Sequence, residues 1–381
     1  MNILADENIP LVHQAFAPLG EVFTHSGSAI TPDLADRADM LLVRSVTRVD
    51  SGLLAGSRVR FVATATSGFD HVDLDYLHQS GITFAYAPGC NANAVAEYIL
   101  SVLCVLSERA PFRLQEKTVG IIGCGHVGSI VLHKLQTIGV RCLVNDPPLK
   151  ALGGHEEFVE LDDIFSADIV TLHVPLHHGG PYPTHHLVDA AFLARLQDNA
   201  ILINTSRGSV VDGSALKSVL ETGKISAGLD VWENEPDIDI DLLHKTAIGS
   251  PHIAGYSLEG KVRGTVMIYE AACRWLGIQS EWRPLAGLMP SAGSDLTFSD
   301  SAADDAVLQS CILSSCDVRD DDFELRQVLR KPNVNVGKSF HALRKNYKGR
   351  REFDSTEVRV TKGRTKLTNK LQNLGFKVIH L

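Results

Sequence analysis

The chain has 381 residues, more than one ordinary compact core organises, so two or three domains are expected. A hydrophobic fraction of 44% with 21% charged residues is that of a folded globular protein and excludes a disordered one. With 36 Lys and Arg against 45 Asp and Glu the net charge is −9, a field that favours neither nucleic acid nor an anionic membrane surface as partner.

No run of about 18 uncharged apolar residues is present to span a bilayer. The opening residues Met1-Asn2-Ile3-Leu4-Ala5-Asp6-Glu7 meet acid at once, unlike a secretory signal. The seven cysteines, Cys90, Cys104, Cys124, Cys142, Cys273, Cys311 and Cys316, are scattered and odd in number. None forms a C-x-x-C pair, so no metal site or disulfide framework is indicated. Reduced thiols and a cytoplasmic location are the expectation.

In chain order, the apolar runs 40–43, 59–66 and 82–86 end in Arg44-Ser45, Ser67-Gly68 and Pro88-Gly89. Continuous β-rich runs of this kind predict buried parallel strands with functional loops at their carboxyl ends. Helical spacing from Asn93 to Leu106 predicts a long connecting helix. A second unit begins with the strand Thr118–Ile122 and alternates strand and helix to about His252, the pattern of a doubly wound sheet. Residues 257–276 read as a helix returning to the first domain. A Pro-, Gly- and Ser-rich boundary at 283–301 then precedes a smaller α/β unit. The expected division is a substrate domain over 1–92 and 256–282, a nucleotide domain over 93–255 and a C-terminal domain over 283–381.

Gly123-Cys124-Gly125-His126-Val127-Gly128 follows the first strand of the second unit and opens a helix. Gly123 makes the tight turn, Gly125 lets the backbone approach a pyrophosphate, and Gly128 allows close helix packing. The amides near His126 and Val127 face the phosphates at the positive end of the helix dipole. About 18 residues beyond Gly128, Asp146 ends the next strand, where a carboxylate binds the adenosine ribose hydroxyls and repels a 2′-phosphate. The cofactor expected is NAD, not NADP.

Three later segments carry titratable groups at strand-to-loop junctions: 204–208 with Arg207, 230–236 with Glu235, and 250–255 with His252. A neutral imidazole accepts an alcohol proton near neutral pH. A paired carboxylate orients that imidazole, and an arginine grips a substrate carboxylate in bidentate fashion. Each has an ordinary alternative: His252 as a structural loop residue, Arg207 as a surface ion-pair partner, Glu235 as a solvated acid. Glu233 competes with Glu235, and His173, His177, His178, His185 and His186 crowd the region. Spacing alone does not select among them.

The ordered motifs G-x-G-x-x-G, N-T-x-R-G, L-D-V-x-x-x-E-P and P-H-x-x-G, with Asp70-His71-Val72-Asp73 and residues 91–97, resemble the D-2-hydroxyacid dehydrogenase family. The resemblance implies a Rossmann-like NAD domain beside a discontinuous flavodoxin-like substrate domain, with a small C-terminal α/β dimerisation domain. It assigns catalysis to Arg207, Glu235 and His252, and further cofactor contacts to Ser206, Asp230 and Gly255. Where a threonine is expected in the H-x-P segment the chain has Val174, so a contact there is left to the backbone. Further matches, at 1–10, 43–47, 64–71, 252–257, 340–347 and 350–353, resemble a branch of the family acting on a phosphorylated hydroxy acid. They place substrate contacts at Ser45, Thr66 and Tyr256. Phosphoglycerate and glyoxylate-type substrates, or a silent NAD sensor, are the alternatives.

A phosphorylated substrate needs further cations, and Arg44 and Arg48, flanking Ser45, are the candidates. The basic run 344–351, opposite in charge to the acidic 317–324 stretch, reads in three ways: a solvated face, a subunit contact, or a phosphate-binding element reaching a neighbouring subunit. The resemblance favours homodimerisation through residues beyond about 285. The stretch 283–315 carries no motif that matches.

Overall fold

The computed structural model describes residues 1–110, 112–153, 157–284, 295–299 and 301–381. Most of the boundary expected over 283–301 therefore lies outside the described residues. The chain divides into two compact units, one of Met1–Ala92 with the described residues from Ser257 to 284, the other of Asn93–Tyr256 with those from 295 onward.

The first unit is built on five parallel strands, β1 (Asn2–Asp6), β2 (Glu21–His25), β3 (Met40–Val43), β4 (Phe61–Thr64) and β5 (Thr83–Tyr86), in the order β2-β1-β3-β4-β5. Strands β3 and β4 are buried along their whole length, which is why they read as unbroken apolar runs. The helix Leu258–Leu276 belongs to this unit. Ser257 caps its first turn by accepting from the Gly260 amide at 2.9 Å.

The second unit holds a six-stranded parallel sheet: β6 (Thr118–Ile122), β7 (Arg141–Asn145), β8 (Ile169–Leu172), β9 (Ala200–Asn204), β10 (Ile225–Leu229) and β11 (Ile248–Gly249), ordered β11-β10-β9-β8-β6-β7. A single parallel bridge, Val144 to Phe158, adds the trace of a further edge beyond β7. Strand order reverses between β6 and β8, and a crevice at the carboxyl ends of strands beside such a reversal is where nucleotides bind in doubly wound folds. The glycine fingerprint, Asp146, Val174 and the segments carrying Arg207, Glu235 and His252 each follow the carboxyl end of one of these strands.

Residues from 295 form a third sheet, β12 (Asp295–Thr297), β13 (Glu357–Val360) and β14 (Lys377–His380), all parallel. It does not stand apart. Val307, Leu308, Cys311, Val358, Leu367 and Leu371 share one buried cluster with Val95, Leu103, Val119 and Leu135 of the nucleotide-binding half. Leu325, Leu329 and Phe340 join a second cluster with Trp232, Leu242 and Leu243. Polar groups are buried in the same seam: Asn93 Nδ2 donates to Glu97 Oε1 at 2.9 Å and to Glu352 Oε2 at 2.7 Å.

Asp321 lies in this seam, and burial, opposed by Arg350 and reinforced by Asp230, pushes its carboxyl up to about 7. Its folded form holds a proton more tightly than the unfolded chain does, whose carboxyl keeps its ordinary value of 3.8. Stability from this group is thus present at low pH and lost as pH rises from 3.8 to about 7. Asp321→Asn removes the loss. Thermal melts should show the variant matching the parent near pH 4 and exceeding it by several degrees above pH 7; a constant offset across the range would contradict the assignment.

Candidate active site

The glycine loop after β6 shows why each glycine is there. Gly123 has φ +89°, a left-handed conformation that favours glycine. A Cβ on Gly128 would lie 1.9 Å from the Gly123 carbonyl oxygen, so the helix His126–Thr137 presses directly on the turn. A Cβ on Gly125 meets nothing within 4 Å. That open approach leads to a helix start whose N-cap, Gly125, offers no side-chain hydrogen bond, which leaves the first-turn amides near His126 and Val127 for an anionic ligand.

Asp146 follows β7. One carboxylate oxygen accepts from the Cys124 amide at 2.7 Å and the other from the Leu149 amide at 2.9 Å, so the carboxylate is fixed against the glycine loop. Each oxygen keeps acceptor capacity for a ribose hydroxyl. Val174, after β8, lies under the same turn, its Cγ1 2.9 Å from where a Gly123 Cβ would stand. The open backbone at Gly125 and the anchored carboxylate fit a pyrophosphate with an unphosphorylated ribose.

After β9, Asn204 organises the turn. Its Oδ1 accepts from the Ser206 amide (3.0 Å) and hydroxyl (2.8 Å), and its Nδ2 donates to the Arg207 carbonyl at 2.9 Å. Ser206 is buried, so its hydroxyl serves the turn. Arg207 Nη1 donates to the Ser206 carbonyl at 2.9 Å. A Cβ on Gly208 would fall 1.9 Å from the Trp232 carbonyl oxygen: only glycine lets this loop meet the one after β10.

That second loop separates the two competing acids. Glu233 pairs with His186 at 2.6 Å and accepts from the Gly213 amide at 3.0 Å. Glu235 Oε2 instead meets His252 Nδ1 at 2.7 Å, while Oε1 accepts from the Trp232 amide at 2.8 Å. Burial alone would push the Glu235 carboxyl up, but attraction to His252, the hydrogen bonds from His252 and the Trp232 amide, and the Arg344 guanidinium together hold it below its ordinary value. Glu235 is therefore a carboxylate at neutral pH and can only accept. The proton between the pair belongs to Nδ1, and Nε2 is left as the basic nitrogen.

Asp230, almost wholly buried, fixes the third loop by accepting from Ser250 Oγ (2.6 Å) and the Ile253 (2.7 Å) and Ala254 (3.0 Å) amides. Its carboxylate thus organises the loop first; any nicotinamide contact uses what capacity remains. His252 is held at φ +58°, a strained region for a non-glycine residue. Gly255 and half-buried Tyr256 end the loop.

The other histidines have different fates. His173 is pushed down to about 3 by burial and lies 3.0 Å from Thr171 Oγ1. His178, His185 and His186 stack in sequence, with centroids 4.6 and 4.0 Å apart.

Within the first unit, Ser45 is exposed and Thr66 Oγ1 donates to the Gly68 carbonyl at 2.8 Å. Arg48 is paired with Asp50 at 2.7 Å. Arg44 has a neighbour that the sequence did not flag: Lys261, whose ammonium is pushed down to about 8 by burial and by the Arg44 charge.

Fold and site together define an NAD-dependent dehydrogenase of the 2-hydroxyacid class. Residues 105–254 match the D-isomer specific 2-hydroxyacid dehydrogenase NAD binding domain, and residues 288–375 match a domain of unknown function. A solved D-lactate dehydrogenase from Aquifex aeolicus, complexed with NAD and lactic acid, is 25% identical with a TM-score of 0.60, covering 73% of this chain and 96% of its own. Erythronate-4-phosphate dehydrogenases from Cronobacter sakazakii and Serratia proteamaculans are 46% and 47% identical, over 100% and 99% of this chain and 99% of each relative. The chain belongs to the erythronate-4-phosphate dehydrogenase family.

The two glycines test the cofactor geometry. Gly128→Ala should lower the melting temperature of the ligand-free protein, at a cost of about 1–3 kcal/mol for overpacking. Gly125→Ala should leave that temperature unchanged and raise the Kd for NAD by about tenfold or more, as measured by calorimetry. Equal effects of both substitutions on stability would contradict the open approach at Gly125.

Proposed function

We propose that the chain oxidises 4-phospho-D-erythronate to 2-oxo-3-hydroxy-4-phosphobutanoate in pyridoxal phosphate synthesis, with His252, Glu235 and Arg207 as its catalytic residues. The observation that carries this reading is the 2.7 Å contact between His252 Nδ1 and a half-buried, ionised Glu235. It fixes the tautomer that presents a basic Nε2, the form that accepts an alcohol proton.

NAD, held by the glycine loop and Asp146, would supply the hydride acceptor for C2 of the acid. His252 Nε2 takes the hydroxyl proton, and Glu235 stabilises the imidazolium that results. Arg207 holds the carboxylate beside the reacting carbon, where a guanidinium also favours charge developing on the adjacent oxygen. Cofactor contacts are assigned to Gly123, Gly125, His126, Val127, Gly128 and Asp146, with the Val174 backbone, Ser206, Asp230 and Gly255. Substrate contacts are assigned to Ser45, Thr66, Arg44 and Tyr256.

The protein is proposed to act in the cytoplasm as a homodimer joined through its C-terminal segment. Seven cysteines outside any disulfide and the exposed Phe323, Ile379 and Leu381 of that segment support this. Among the described residues, no helix is long and apolar enough to cross a membrane.

The test is a substrate panel with purified protein, following NADH. The reading requires kcat/KM for 4-phosphoerythronate to exceed that for 3-phosphoglycerate, glyoxylate-type acids and unphosphorylated D-erythronate by at least about a hundredfold, as expected when a site built for charged contacts loses one. Preference for 3-phosphoglycerate would replace the substrate and keep the class; no turnover of any acid would leave a sensor.

A further inference from the structure

A four-carbon acid phosphorylated at C4 carries anions at both ends, with the reacting hydroxyl beside the carboxylate. Arg207 serves the carboxylate end, so the phosphate needs a second cation. Several arginines of the C-terminal segment are committed to carboxylates, and Arg350 to backbone carbonyls. Arg319 is paired with Asp317 and Glu108, Arg326 with Asp322, and Arg364 with Asp304. Arg344, in the last turn of the helix Val336–Asn346, differs. Among the described residues it makes no ion pair. Its Nη2 donates to the Tyr256 hydroxyl at 3.1 Å, its guanidinium carbon lies 5.7 Å from the centre of the Tyr256 ring, and its Nε is buried with no hydrogen-bond partner.

This guanidinium is close to the chemistry. Tyr256 lies in the loop that carries His252, and Arg344 is near enough to Glu235 to help keep that carboxyl ionised. The loop is also gripped on both sides of Gly255: Arg350 Nη2 donates to the Ala254 carbonyl at 2.7 Å, and Tyr347 meets Tyr256 edge to face at 6.1 Å. A guanidinium in no ion pair among the described residues, with a buried Nε lacking a hydrogen-bond partner and fixed on a helix end beside a catalytic loop, is an anion fork waiting for an acceptor.

We propose that Arg344, presented by the C-terminal segment to its own chain's Tyr256, is a substrate-binding residue that takes the phosphate dianion of the phosphorylated hydroxy acid. This rests on the phosphorylated-acid reading given above. It gives the matched domain of unknown function a part in substrate selection, in addition to any role in subunit contact.

The test compares the full-length protein with Arg344→Gln and Arg344→Lys, using 4-phosphoerythronate and unphosphorylated D-erythronate in the presence of saturating NAD. Arg344→Gln should raise KM for the phosphorylated acid by about 10- to 100-fold, the loss of a charge-assisted hydrogen-bonded contact. Any loss in kcat, from Glu235 losing this neighbouring charge, should be shared by both acids, whereas the rise in KM should be confined to the phosphorylated one. Arg344→Lys, which keeps the charge and loses the fork, should fall between, and carries the test if the Gln variant does not fold. Unchanged KM for the phosphorylated acid, or an equal rise in KM for both acids, would overturn the proposal. If the parent does not prefer the phosphorylated acid, the substrate reading fails by itself. Calorimetry with inorganic phosphate then decides for Arg344: binding weakened tenfold or more in the Gln variant supports the site, and equal binding sinks it.

Discussion

Asp230 takes a carboxylate out of water at the end of β10 and surrounds it with donors: the Ser250 hydroxyl and the amides of Ile253 and Ala254. A buried charge is tolerated only with such company. Here the donors come from the loop after β11, so one side chain joins two neighbouring strand ends. Its own backbone carbonyl accepts from the His252 amide at 2.7 Å. Tyr98 reinforces the junction from the helix Ala92–Arg109: because Ser250 gives its proton to Asp230, the Tyr98 hydroxyl is the donor across their 2.6 Å contact. The Trp232 indole adds a bond to the Ser250 carbonyl at 2.8 Å. Held from these directions, His252 keeps its left-handed backbone, and its ring meets Glu235.

The same region is braced from the C-terminal segment. Asp322 accepts from the Gly249 amide at 2.7 Å on the edge strand β11, and Arg326 donates to the Leu243 and Thr246 carbonyls. The Gly337 amide donates to Asp237 at 3.1 Å. With Arg350 on Ala254, these bonds run along the chain from just after Glu235 to just after His252. Edge strands offer unpaired backbone groups, and here a second α/β element satisfies them. The segment's apolar residues continue the clusters of the sheet it braces, so packing and polar contacts act on the same stretch.

Much of this was legible in the sequence because it is local. Met40–Val43 and Thr118–Ile122 are buried strands and read as apolar runs; the glycine fingerprint and Asp146 follow from a turn, a helix start and a strand end. The segments around Arg207, Glu235 and His252 were also visible, as was their sequence order. What remained ambiguous depends on tertiary partners. Glu233 and Glu235 are two residues apart, and only the fold gives one to His186 and the other to His252. Arg44 and Arg48 flank the same serine, yet Arg48 is paired with Asp50 while Arg44 lies near Lys261. The basic run at 344–351 allowed three readings between which sequence could not choose; Arg344 and Arg350 turn to Tyr256 and Ala254, a direction set by partners far along the chain. Gly208 gave no signal beyond its motif, since the carbonyl it admits belongs to another loop.

The central claim is that His252, oriented by Glu235, accepts the hydroxyl proton as hydride leaves the substrate. Rapid-mixing measurement of NADH formation in a single turnover tests it most directly, comparing the parent with His252→Gln at saturating NAD and 4-phosphoerythronate. The account predicts a fall of about a thousandfold or more in the chemical step, the scale seen when a general base is removed, with the substrate Kd changed little. A variant that forms NADH within tenfold of the parent rate would contradict it.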